Sequence, residues 1–403
     1  MSETALDVLW AKLDSIEPLM PFVPIGIREA SFDVDINAET FLQLPDPPAE
    51  EWKRFDKYAR RVKDLHSADP RCAWMDGTRL IYPRLAALRA RGGVDLLPNL
   101  CSIICFLSDP GLGKEKLLPS SLRVLTSFVT GYSADLEGHT NTLLQLAHTP
   151  LLERFNLRGF NLHELFRSLV VDHIQPLKLA YLREVDLTRA SISSHDFQFL
   201  CVALCESPVT TLSIHLKHPF LDWQPVLPVF PVLHRLTFCG DPSIARDFLE
   251  RLSGSTLADF TIEHEDSRIC LSAYESLLGL LHERFSDSLE SVHLNFGRHP
   301  IDVLATHFLL CTLVALLPLV KAGLKELRYS MPVYLPSLPE EIRQALEPSS
   351  WPTLRVFSFS TQSPRLSHRD LEENLMLRGP AIQSFRMIPV GPSSSFGGTD
   401  SDE

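Results

Sequence analysis

The chain has 403 residues, 45% hydrophobic and 22% charged, which is ordinary globular composition. Its 50 Asp and Glu outweigh 38 Lys and Arg to a net charge of −12, and its densest basic spot is Arg60-Arg61 with Lys63. Phosphate backbones and anionic membranes are held by clustered cations, so the expected partners exclude nucleic acid and membrane and favour a protein carrying a basic patch.

The opening MSETALDVLW carries acids and no basic stretch, so it does not read as a secretory signal. Residues 6–13 and 50–62 read as helices. The stretch between them, with Pro45, Pro47 and Pro48, reads as a loop. Residues 1–60 thus form a helical N-terminal cap without repeats.

From residue 61 to 389 one short pattern keeps returning: apolar-x-x-apolar-x-apolar, with polar residues at x. Clear copies are LRVLTS at Leu122, LERFNL at Leu152, LREVDL at Leu182, VTTLSI at Val209 and LHRLTF at Leu233. LADFTI at Leu257, LESVHL at Leu289, LKELRY at Leu324 and LRVFSF at Leu354 follow; weaker copies start at Val62, Leu100 and Ile382. Single matches carry nothing, because roughly 36 would arise by chance at this hydrophobic content. Spacing carries the argument. The middle apolar residues are Leu65, Ile103, Leu125, Phe155, Val185, Leu212, Leu236, Phe260, Val292, Leu327, Phe357 and Phe385, and eight of their eleven intervals fall between 24 and 32 residues. That suits about 12 long, irregular leucine-rich repeats.

Segments between the anchors mostly hold one helical stretch: 141–148, 163–171, 197–205, 245–252, 274–285, 307–320, 340–346 and 370–377. In FQFLCVALC, Phe197, Leu200, Cys201, Leu204 and Cys205 share one helix face. The run 307–320 is too short for the roughly 20 residues of a membrane span and reads as a buried helix. The motif itself alternates in and out like a strand buried on one face. Strand then helix, repeated, predicts an α/β solenoid, an irregular horseshoe with parallel strands on the concave face and helices on the convex face. Pro98, Pro119, Pro150, Pro208, Pro231 and Pro352 stand just before strands, where no ladder donor is needed. The repeat's usual Asn position holds Phe160 and Ala190 in two repeats, which predicts irregular curvature. Residues 390–403 read as a disordered acidic tail, with Thr399 a phosphorylation candidate.

Polar residues at x point into the groove and supply the candidate client-binding face: Arg154, Asn156, Arg158, Arg183, Asp186, Arg235, Glu263, His293, Asn295, Lys325 and Arg328, with Thr126, Ser213, Thr237, Thr261 and Ser358 in the same row. Arg154, Arg158 and Arg183 lead, since Arg is enriched at binding hot spots.

No catalytic constellation is found, so the chain is not expected to be an enzyme. The loop DPGLGKEK (109–116) has Glu115 after Gly113-Lys114 and Ser108 where a phosphate loop needs Gly. His215 and His218 lack a third ligand. His195-Asp196 and His163-Glu164 are mere sequence neighbours, with no G-x-S-x-G. The eight cysteines form no C-x-x-C pairs and read as buried thiols of a reducing compartment, the cytoplasm or nucleus. Neither metal nor cofactor is expected, and the solenoid is expected to be a monomer.

ALDVLWAKLDSIEPLMPFVP (5–24) resembles the segment that follows the F-box in basidiomycete F-box proteins, and WKRFDKYARRV (52–62) resembles their element before the first repeat. LLPNL (96–100) and LPSSLRVL (118–125) are similar to their repeat openings. The resemblance implies a substrate receptor of an SCF-type ubiquitin ligase, with a client protein in its repeats and the Skp adaptor and cullin as partners through the F-box. Only Met1 to Thr4 precede ALDVLW, so the F-box is expected to be missing or truncated. A truncated gene model and a naturally F-box-less paralogue both fit. The alternatives are a leucine-rich-repeat regulator such as a GTPase activator, for which Arg158, Arg183 and Arg328 are candidates, and a non-ligase scaffold.

Overall fold

A computed structural model describes residues 2–33, 36, 38–66, 81–106, 116–129, 145–162, 179–192, 197, 200–202, 204–216, 230–252, 256–264, 270–296, 305–330, 353–361 and 384–389. The chain is α/β, with parallel strands and helices, and divides into two compact units: Met1–Leu233 with Arg251–Ser255, and His234–Glu250 with Thr256–Glu403.

The first unit opens on α1 (Glu3–Ala11). Ser2 caps it by accepting the Ala5 N–H at 3.2 Å, and Glu3 sits in its first turn, where the helix dipole favours an acid. A short 3-10 helix (Glu17–Phe22) follows, then α2 (Ile25–Phe32), α3 (Ala38–Leu42), α4 (Ala49–Ala59) and α5 (Ile81–Arg91). Two sequence readings are corrected here. The stretch before α4 is a loop only in part: residues 45–48, with Pro45, Pro47 and Pro48, are irregular, but 17–22, 25–32 and 38–42 are helical, with Pro21 inside the 3-10 helix and Pro24 just before α2, where no N–H is required. The first helix also stops at Ala11, because Lys12 turns extended and begins a strand.

That strand, β1 (Lys12–Leu13), pairs in parallel with β2 (Asp64–His66), placing Leu13 opposite Leu65. Next come β3 (Ser102–Phe106), β4 (Val124–Val129), β5 (Arg154–Leu162), β6 (Glu184–Ile192) and β7 (Thr211–Leu216), each paired with its predecessor. Leu65, Ile103, Leu125, Phe155, Val185 and Leu212 are mutual register partners, so the apolar anchors of the sequence form one buried row, and Leu13 joins it.

The second unit repeats this order in β8 (Arg235–Gly240), β9 (Asp259–Glu263), β10 (Ser291–Asn295), β11 (Glu326–Ser330), β12 (Val356–Thr361) and β13 (Ser384–Pro389). Its anchors Leu236, Phe260, Val292, Leu327, Phe357 and Phe385 are likewise in register. Between its strands lie α6 (Pro242–Arg251), α7 (Leu271–Phe285) and α8 (Ala305–Ala322). Gly323, at φ +131, closes α8, and Leu324 donates back to the Leu319 carbonyl at 3.3 Å. None of the described helices is long and apolar enough to cross a membrane.

Within each unit helices pack on strands. Tyr274 of α7 packs against Phe296 just after β10, and Phe296 against Tyr329 of β11, with centroids 5.1 Å apart in each pair. Such tilted aromatic contacts fill the layer between helix and sheet. In the first unit Phe197, Leu200, Cys201 and Leu204 are all buried, as one helix face requires. Predicted helices at 163–171, 340–346 and 370–377, and the acidic tail with Thr399, lie outside the described residues.

Several strands are entered through a tight turn. Leu100 donates to the Leu97 carbonyl, Leu152 to Thr149 and Leu182 to Leu179, at 3.1 to 3.2 Å. Pro98 and Pro150 occupy the second turn position, which suits their fixed φ. The carbonyl two residues before each anchor then accepts two N–H groups from the following repeat. Arg123 accepts from Glu153 and Arg154 at 2.8 and 3.0 Å; Ala258 accepts from Glu290 and Ser291 at 2.8 and 3.0 Å. This backbone ladder satisfies groups at the strand entrance without any side chain.

Candidate functional site

Alternation points every second side chain of each strand away from the buried row. In β7 the alternate residues Leu212, Ile214 and Leu216 are buried, and Thr211, Ser213 and His215 are half-buried. The residues flanking each anchor therefore face away from the core in each unit, whereas Arg183 and Lys325, two residues before their anchors, stand at the strand entrances.

In the first unit Thr126, Asn156, Asp186 and Ser213 form one in-register row. Asn156 Nδ2 donates to Thr126 Oγ1 at 3.2 Å, and Thr126 is pulled to 4% exposure, so it contributes little surface. Asp186 Oδ1 accepts the Thr188 N–H at 3.0 Å and its hydroxyl at 2.7 Å. Its carboxylate is committed to shaping its own strand. Arg154 is exposed, with Glu184 its register neighbour. Arg183 lies at the strand entrance and donates to the Pro208 carbonyl at 3.1 Å, which ties it to the next turn rather than to the row.

Arg158 sits two residues beyond Asn156, its guanidinium 5.9 Å from the Phe128 ring centroid. Its register partner on β6 is Arg189. Between Asn156↔Asp186 and Arg158↔Arg189, β6 carries one residue more than β5, and this bulge turns Arg189 outward. Strict alternation from Val185 assigns Arg189 to the core, so sequence reasoning missed it. The signal was present: a charged residue at an inward slot marks a slipped register. β5 and β6 are also the two nine-residue strands, and they are the strands with Phe160 and Ala190 at the repeat's Asn position.

In the second unit each candidate cation meets an acid. Arg235 points Nε and Nη2 at Asp259 Oδ2, at 3.0 and 2.9 Å. Lys325 pairs with Glu290 at 2.5 Å. Arg328 pairs with Glu326, and His293 Nε2 lies 3.5 Å from the same carboxylate. Burial, and then the charge of Arg328, hold the His293 pKa below its ordinary value against the opposing pull of Glu326. Glu263 accepts from Cys239 Sγ at 3.3 Å. The backbone carbonyl of Asn295 accepts the His264 N–H at 2.7 Å.

The chain matches no protein-family model and no curated protein.

Among the described residues, no group of three or more His, Cys, Asp or Glu is placed to hold a metal ion. The loop at 109–115, His163-Glu164, His195-Asp196 and His218 lie outside the described residues. The strand face offers hydroxyls and amides in rows, cross-strand ion pairs, and in the first unit the adjacent guanidinium groups of Arg158 and Arg189.

Proposed function

We propose that the chain is a protein-binding module, with its strands arranged as the concave face of a leucine-rich-repeat horseshoe and a client protein held on that face. The observation that supports this best is the row of in-register polar side chains, Asn156–Asp186–Ser213 in one unit and Thr237–Thr261–His293–Arg328 in the other. An extended polar face built on paired strands suits recognition of another surface.

The sequence resemblance extends the proposal to the substrate receptor of an SCF-type ubiquitin ligase, acting in the cytoplasm or nucleus. Its partners would be a client and, through the N-terminal helices, the Skp adaptor and cullin. A photo-crosslinking amino acid at Ser213 or Thr261 should capture the client in a fungal lysate, whereas one at Glu275 on α7 should not. Equal capture from both faces would count against the concave face. Co-purification of the Skp adaptor supports the ligase reading; a client captured without it supports a non-ligase scaffold.

A further inference from the structure

We infer that Arg158 and Arg189 form an anion subsite that takes a side-chain carboxylate of an acidic, extended segment of the partner. The inference rests on reading the strand face as the binding surface. Adjacent strands lie about 5 Å apart, so register partners hold their side chains within mutual reach. Like charges placed opposite each other destabilise a sheet unless something neutralises them. Arg158 and Arg189 are such a pair, and both lie on the outward face.

Their neighbours do not neutralise them. On one side of Arg158 stands Phe128, whose ring face attracts the cation without cancelling its charge. The nearest carboxylate along β6, Asp186, is occupied by Thr188. Among the described residues no acid pairs with either guanidinium, and Arg158 Nε is buried without a hydrogen-bond partner. The second unit shows the contrasting arrangement, because Arg235, Lys325 and Arg328 each have their own acid. The bulge in β6 creates the site by turning a residue due for the core out beside Arg158.

A carboxylate fits the pair, one oxygen to each guanidinium, as in other charge-assisted recognition. Arg154, on the same face of β5 and without an ion pair among the described residues, lies four residues from Arg158, roughly 13 Å along the strand. A ligand with several acids in extended form can therefore reach both. The chain's own charge of −12 does not prevent this, because at physiological salt charges farther than about 8 Å are screened and the local pair dominates.

The test is titration of the full chain with fluorescein-labelled octaglutamate, octaglutamine and an octapeptide of alternating phosphoserine and glycine. Octaglutamate should bind saturably and octaglutamine should not. Arg158→Gln and Arg189→Gln should each weaken octaglutamate by about tenfold or more. Arg123→Gln, whose side chain is paired with Glu153 at 2.6 Å, should leave it unchanged. Relief of the like-charge pair means Arg189→Gln should melt no lower than wild type, so lost binding is not unfolding. Equal octaglutamate affinity in wild type and both variants overturns the subsite. Binding of the phosphoserine peptide alone overturns the carboxylate assignment. Client crosslinking at Ser213 that persists in a chain indifferent to octaglutamate sinks this inference and leaves the broader reading standing.

Discussion

His293 on β10 and Glu326 on β11 lie side by side, with Nε2 3.5 Å from the carboxylate oxygen and the Ser291 hydroxyl 3.1 Å from the same nitrogen. Despite that carboxylate, the His293 pKa is lowered, first by burial and then by Arg328; Glu326 and Asp259 pull the other way. A base whose folded pKa falls below its unfolded value of about 6.5 binds protons better when unfolded. Its contribution to stability is therefore complete above about pH 6.5 and is lost as pH falls below that value. Urea midpoints at pH 7.5 and 5.5 should show the loss in wild type and a smaller one in His293→Gln. Identical losses would remove His293 from the account.

The anchor row and the polar row beside it should respond very differently to truncation. Leu212 is fully buried, and Leu212→Ala should cost roughly 2–5 kcal/mol through lost burial and an incompletely closed cavity. Ser213, one position along and half-buried, should change stability by only about 0.5 kcal/mol on mutation to Ala. Denaturant titration of both variants checks the pair. Similar losses would mean that the faces are misassigned.

Arg84 is a buried cation with a structural task. It is 3% exposed, donates to the carbonyls of Asp33 at 3.1 Å and Ile36 at 2.6 Å, and stands 5.8 Å from the Phe41 ring centroid. It thereby ties α5 to the chain after α2. Arg84→Ala removes two part-buried charge-assisted hydrogen bonds together with a buried side chain and should cost roughly 2–4 kcal/mol. Arg84→Lys should rescue only part, because an ammonium cannot reproduce the planar fork. Thermal melts of the two variants decide the matter, and full rescue by Lys would count against the fork geometry.

The cysteines should differ sharply in reactivity. Cys270 is exposed just before α7, and its thiol pKa is lowered, first by a hydrogen bond from Ser272, 3.2 Å away, and then by the Ala273 backbone N–H. Burial pushes the Cys105 and Cys201 thiols up. Since the thiolate is the nucleophile, brief iodoacetamide treatment at neutral pH should label Cys270 well before Cys105 or Cys201. Peptide mass spectrometry reads the order, and early labelling of Cys105 would contradict its burial.

The sequence by itself determined the repeating strand and its register. A period-two pattern around Leu65, Ile103, Leu125, Phe155, Val185 and Leu212 leaves one register that buries all six, and a slip of one residue would expose them all. The helices at 245–252, 274–285 and 307–320 were legible for the same reason, as apolar runs with helical spacing. The alternation of inward and outward positions was legible for the same reason.

Three features were decided only by the tertiary structure. Lys12–Leu13 became a strand because β2 offers an unpaired edge, a partner distant in sequence. α2, α3 and the 3-10 helix formed in a proline-bearing stretch because Leu19, Met20, Ile27 and Phe41 could be buried there. Arg189 came to face Arg158 because β6 bulges against β5, and the choice between them was which side chain the core would accept. Local pattern fixes which residues prefer burial, whereas the shape of the space left by distant neighbours decides where a chain must break that pattern to fill it.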